Sequence, residues 1–120
     1  GQGLAQRKRI LGTAHVDRAS KNATTLDSPF QQFITRNAWG ELWGDPSLTV
    51  QQRSMITTGI LAALGRDGEL GLHLRTAKRL GISEDQLRQV LMHVAIYAGV
   101  PASNHAFALA KDNGWGQALL

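Results

Sequence analysis

An all-α fold is predicted by three features of the chain: its helix punctuation, the lack of any strand pattern, and apolar residues recurring at helical spacing. Ser28-Pro29-Phe30-Gln31 offers an N-cap, a proline at the first helical position and a capping-box glutamine. Thr49 to Gln52 and Ser83 to Gln86 repeat the capping-box pattern. Gly44, Gly65, Gly81 and Gly99 stand where helices should stop, the last soon followed by Pro101. No stretch alternates with period two and β-branched enrichment, so no sheet is expected.

Taken in order, the pattern predicts short helices over 4–11 and 14–22, the first carrying the basic run Arg7-Lys8-Arg9. A helix over 29–43 opens at Pro29 and sets Trp39 and Trp43, four residues apart, on the side opposite Phe30, Phe33 and Ile34. The helix over 50–64 carries no charge after Arg53 ("SMITTGILAALG"), and Arg53 shares a face with Ile56, Ile60 and Leu64. A helix over 67–80 has leucines at helical spacing. The next, over 84–99, ends in the equally charge-free "LMHVAIYAGV", and a last helix covers 102–112. From Gly114 the tail reads as irregular. With no linker or internal repeat, residues 1–120 are expected to form one domain, with short N-terminal helices over 4–22 and a helical core over 29–112. Two helices apolar all round are more than one small subunit can surround, which points to a homo-oligomer.

The bulk numbers narrow the function classes. The chain is 42% hydrophobic and 18% charged, a globular composition, with a formal charge of +4. Its basic residues are scattered apart from 7–9, so nucleic acid is not an expected partner. It has no cysteine, which excludes disulfides, thiolate metal sites and thiol redox chemistry. No signal peptide or bilayer-length apolar run is visible, so no membrane is expected and the chain reads as cytoplasmic. It begins at Gly1 without a methionine, which leaves processing or further upstream residues an expectation. No HExxH motif and no histidine pair four residues apart is present, so no metal is expected. GxSxG, P-loop and GxGxxG motifs are absent too.

Several polar residues fall on apolar faces. At 100° per residue, Arg66, Glu69 and His73 share the face of Leu70, Leu74, Ala77 and Leu80. They either satisfy one another or form a carboxylate–imidazole pair tuned for proton transfer against an apolar wall. His93 and Tyr97, another i,i+4 pair, edge the stripe of Leu87, Val90, Leu91 and Val94, as core residues or as site residues. Arg53 must snorkel out of its face or meet an anion. His15 lies in "AHVDRA" beside Asp17 and Arg18.

Four stretches, "RKRILGTAHVDRA", "PFQQFITRNAWGELW", "LAALGRDGELGLHLR" and "LMHVAIYAGVPASNHAF", resemble the γ-carboxymuconolactone decarboxylase family from about residue 4 to residue 112. The resemblance implies the all-α fold shared with the D-type alkylhydroperoxidases. Those thiol peroxidases use a CxxC pair with a histidine four residues after the second cysteine, and the matching positions here are Arg66, Glu69 and His73. With both sulfurs gone, the resemblance is to the decarboxylase branch. It implies loss of CO2 from 4-carboxymuconolactone to give the 3-oxoadipate enol-lactone in the protocatechuate branch of aromatic catabolism. No cofactor is expected, because the lactone carbonyl takes up the electrons. On that reading Arg53 and Arg66 hold the carboxylates of a small anionic lactone. His93, His15 or Tyr97 face the developing oxyanion, and His73, partnered by Glu69, protonates the α-carbon. The family's usual assembly is a closed ring, often a hexamer, with a trimer as the smaller form. The nearest rival is an enzyme of the same fold acting on another carboxylated lactone or enolisable acid. A non-catalytic helical oligomer that serves as a binding module is the other.

Overall fold

A computed structural model describes all residues 1–120 and contains helices and no strands. Its internal contacts fall into two compact helical units, Gly1–Thr49 and Val50–Leu120. The boundary lies after the third helix rather than between residues 22 and 29, because that helix packs with the N-terminal ones.

The first unit holds α1 (Gln2–Leu11), α2 (Thr13–Lys21) and α3 (Ser28–Ile34), and α3 runs on as a π-helix over Thr35–Leu42. Gly12, at φ 92°, takes the left-handed conformation that turns the chain from α1 into α2. Helix α1 lies against the π-helical stretch. Gln6 is buried there and donates its amide to the Trp43 carbonyl at 3.0 Å. Ile10, Leu11, Val16, Trp39 and Trp43 are the buried apolar residues of this unit, and the two indoles meet with centroids 5.2 Å apart. The phenylalanines on the other side of the helix, Phe30 and Phe33, are exposed. The expected uninterrupted α-helix over 29–43 therefore changes register at Thr35. Trp43 N–H donates to the Ala38 carbonyl five residues back, at 2.8 Å, where an α-helix would reach back four. The crossing of α1 over this stretch is tight. A Cβ on Gly3 would stand 2.4 Å from the Thr35 carbonyl oxygen. The start of α3 also departs from the expected cap: Ser28 is already helical, and Asp27 occupies the N-cap position without a side-chain cap bond.

The second unit holds α4 (Val50–Leu64), α5 (Asp67–Arg79), α6 (Glu84–Tyr97) and α7 (Val100–Asp112), with α4 packed against each of the other three. The core gathers Ala62, Leu70, Leu74, Leu87, Leu91, Ala106 and Trp115. The Ser83 capping box forms as expected: Gln86 N–H donates to Ser83 Oγ at 3.0 Å, and Ser83 N–H donates to Gln86 Oε1 at 2.9 Å. Gly65 at φ 69° and Gly99 at φ 110° end α4 and α6 as read from the sequence.

Helix α4 presents a different face from the one expected. Ile56, Ile60 and Leu64 are exposed, and the row turned inward is Ser54, Thr58 and Ala62. Small side chains at every fourth position let α4 approach three neighbours closely, where branched ones would hold them away. The tail is irregular, as expected, yet it is tied down. The Trp115 indole N–H donates to the Leu74 carbonyl at 3.0 Å, and Arg75 donates to Asn113 Oδ1 at 2.6 Å. The Lys78 ammonium bonds the Gly114 carbonyl and lies 5.5 Å from the centre of the Trp115 ring. No helix is long and apolar enough to cross a membrane.

Candidate active site

Helix α5 presents His73 between Leu70 and Leu74 on its inner side, and the imidazole is 7% exposed. Helices α4 and α5 pack together across the short Gly65-Arg66 link and so run antiparallel. Thr58 and His73 stand nearly equally far from that link along the two helices, which sets them at the same height. Ser54 Oγ and Thr58 Oγ1, on the inward row of α4, are buried without a hydrogen-bond partner in the protein. Arg53, one residue away, is 9% exposed. It therefore does not snorkel to solvent as one of its two expected alternatives required. It sits in the first turn of α4, where its charge adds to the positive end of the helix dipole and favours an anion. The second unit thus sets a buried guanidinium, an enclosed imidazole and two buried hydroxyls on neighbouring helices.

Arg66 and Glu69 depart from the expectation. Both are exposed, and Glu69 makes no hydrogen bond to His73. Arg66 is the N-cap residue of α5, with φ −85° and ψ 76°, and so lies off the helical spiral that placed it on the apolar face. Glu69 is in the first turn, where a carboxylate is favoured by the helix dipole while it faces water. These two residues rim the start of the helix whose next turn encloses His73.

His93 and Tyr97 come together on α6 with ring centroids 4.8 Å apart, but both are exposed, Tyr97 by 79%. They are not core residues of this chain. They line a groove of about 450 Å³ between α4 and α6, walled by Met55, Ile56, Gly59 and Ile60. His93 also borders a second groove, of about 500 Å³, towards Ser103, Asn104 and Phe107 of α7. His15 is half-buried on α2, in the first unit. No group of three or more histidine, aspartate or glutamate side chains converges as a metal would need.

One contact was not foreseen. His105 of α7 bonds Asp67, the first residue of α5, with Nε2 and Oδ2 2.8 Å apart. No local spacing links residues 38 positions apart. The buried hydroxyls of Ser54 and Thr58 were visible only as the polar letters in an otherwise charge-free helix.

Two known proteins are similar in sequence to this chain along 92% of its length. A 4-carboxymuconolactone decarboxylase of Acinetobacter baylyi is 43% identical over 111 residues, covering 92% of this chain and 83% of its own length. A nitrosuccinic acid decarboxylase of Metarhizium robertsii is 37% identical over 110 residues, 92% of this chain and 77% of that protein. A 4-carboxymuconolactone decarboxylase sequence of Pseudomonas putida is 41% identical over 39 residues, 32% of this chain and 81% of that one. The model of the carboxymuconolactone decarboxylase family matches residues 28–112, a span that includes all of α3 to α7. The chain belongs to the carboxymuconolactone decarboxylase family.

Proposed function

We propose that this protein is a cytoplasmic enzyme of aromatic catabolism that decarboxylates 4-carboxymuconolactone to the 3-oxoadipate enol-lactone without a cofactor. The observation that carries the reading is the 43% identity to the Acinetobacter baylyi decarboxylase along 92% of the chain. In the reaction the bond to the departing carboxylate breaks. Its electron pair moves through the ring double bond to the lactone carbonyl, and a dienolate results. His73 delivers a proton to the α-carbon of that dienolate and recovers one from solvent. Its burial beside leucines supports the role, because a low-dielectric wall favours neutral CO2 over carboxylate and strengthens a nearby charge. Arg53, buried at the positive end of α4, suits a substrate carboxylate, and Arg66 at the open start of α5 suits the second. Glu69 presses on the departing carboxylate rather than pairing with His73. His93, Tyr97 and His15 remain the candidates for the lactone carbonyl.

The family match runs across residue 49, which supports one functional domain over 1–120. Association into a homo-oligomer, a hexamer or a trimer, is supported by the apolar side chains left in water on α4 and α6. Ile56, Ile60, Leu64, Met92 and Ile96 are all exposed there.

The fungal relative favours a second reading, decarboxylation of another small polycarboxylic acid with its own electron sink. The test follows ultraviolet absorbance and CO2 release on mixing with freshly generated 4-carboxymuconolactone, and in parallel with nitrosuccinate. Turnover of the lactone, reduced about 10²–10⁴-fold in His73→Ala, is expected. Turnover of nitrosuccinate alone would transfer the assignment to the second reading, and an undiminished His73→Ala would remove His73 from the chemistry.

A further inference from the structure

The first helical unit contains a cavity of about 770 Å³, the size of a small-molecule site, lined by none of the residues assigned above to the decarboxylation. One wall is the π-helical stretch. Hydrogen bonds that reach back five residues bring residues five apart onto one face, so Thr35 and Arg36 line up with Gly40 and Glu41. An α-helix would turn the second pair away from the first. The register change is therefore what assembles this wall.

Across from it stands Arg7 of α1. Its guanidinium is half-buried and held by neutral partners only: Nη1 donates to Thr35 Oγ1 and Nη2 to Gln31 Oε1, each at 3.1 Å. Its Nε is buried with no partner in the protein. Burial pushes the group's pKa below the usual arginine value, the mark of a cation that has lost water without gaining a counter-charge. Arg36 adds a second cation to the lining and Glu41 a single carboxylate, which leaves the cavity net positive. Leu4, Ala19 and Ala23 supply an apolar portion fit for a carbon skeleton.

We infer that this cavity is a second binding site, for a small organic carboxylate gripped by the fixed guanidinium of Arg7. A guanidinium oriented by two side chains presents its remaining N–H groups as a planar fork, the geometry that carboxylates match. The π-helix serves the site by lining up Thr35, Arg36 and Gly40 behind the ligand.

The test is isothermal titration of succinate, with inorganic phosphate as the comparison, into the wild-type protein and the variants Arg7→Met, Arg7→Lys and Arg53→Met. Saturable succinate binding is expected in the wild type and in Arg53→Met, weakened about tenfold or more in Arg7→Met and in Arg7→Lys, which keeps the charge but loses the fork. Arg7→Lys decides the matter should Arg7→Met fail to fold. No saturable heat in the wild type would overturn the inference, as would unchanged affinity in the Arg7 variants. Loss of binding in Arg53→Met alone would overturn it too, by assigning the heat to the substrate site. Phosphate binding as tightly as succinate would overturn the carboxylate assignment.

Discussion

Asp27 accepts hydrogen bonds from the Thr24 backbone N–H at 2.6 Å and from its hydroxyl at 3.1 Å, and these hold the carboxyl below the usual aspartate range. A depressed folded-state value contributes stability above the unfolded pKa of about 3.9, and that stability is lost as pH falls through the folded value. Asp27→Asn should therefore be less stable than wild type at neutral pH, with the gap closing only below about pH 4 in urea titrations run at a series of pH values. Thr58 presents the opposite case, a buried hydroxyl that bonds nothing in the protein. Thr58→Val keeps the shape and removes the unsatisfied group, so it should raise unfolding stability by about 1 kcal/mol. If the hydroxyl serves the adjoining His73 region, the same variant will lower turnover while it stabilises. Lower stability in Thr58→Val would show that the hydroxyl is satisfied after all.

At the scale of elements, the helices were legible because their signals are local. The Ser83 capping box and the stops at Gly65, Gly81 and Gly99 each act within one turn, and the structure places them as read. The π register of Thr35–Leu42 was not legible, since the residues that form it also suit an α-helix. Its setting is tertiary: α1 crosses so closely at Gly3 that only a glycine fits beside the Thr35 carbonyl. Gly3→Ala should cost about 1–3 kcal/mol through overpacking against backbone that cannot move aside. Equal melting temperatures for wild type and Gly3→Ala would show that the crossing is looser than this. The inward face of α4 escaped the sequence for another reason. A helix without charges after its first turn carries nothing to mark its outer side, so bulk alone suggested that Ile56, Ile60 and Leu64 point inward. Arg66 leaves the apolar face for a simpler reason: it is the N-cap of α5, one residue before the helical spiral begins.

For the whole molecule, the family and the all-helical fold could be read from sequence, because long motifs carry them in order along the chain. The enclosure of the site could not. Glu69, His93 and Tyr97 are exposed in a single chain, and whether a second copy covers them depends on association that no local pattern encodes. Ile96, 78% exposed beside Tyr97, is the sharpest probe of that association. On the proposed association, Ile96→Asp should give a smaller mass than the wild type in light scattering after size exclusion, since burying a carboxylate at a subunit contact costs several kcal/mol. An unchanged mass would place any subunit contact elsewhere on the surface.

The three tryptophans are divided between the two units: Trp39 and Trp43 in the first, Trp115 in the second. The chain thereby carries two optical markers of different kind. The paired indoles, 5.2 Å apart and tilted 33° to one another, are close enough to couple and give a dichroic couplet in the far ultraviolet. Trp115, bonded to Leu74 and facing an ammonium, emits as a single chromophore whose colour follows the docking of α5. Loss of the couplet reports the first unit alone while the emission sums all three indoles, so a red shift that continues after the couplet is gone marks the second unit as the last to open.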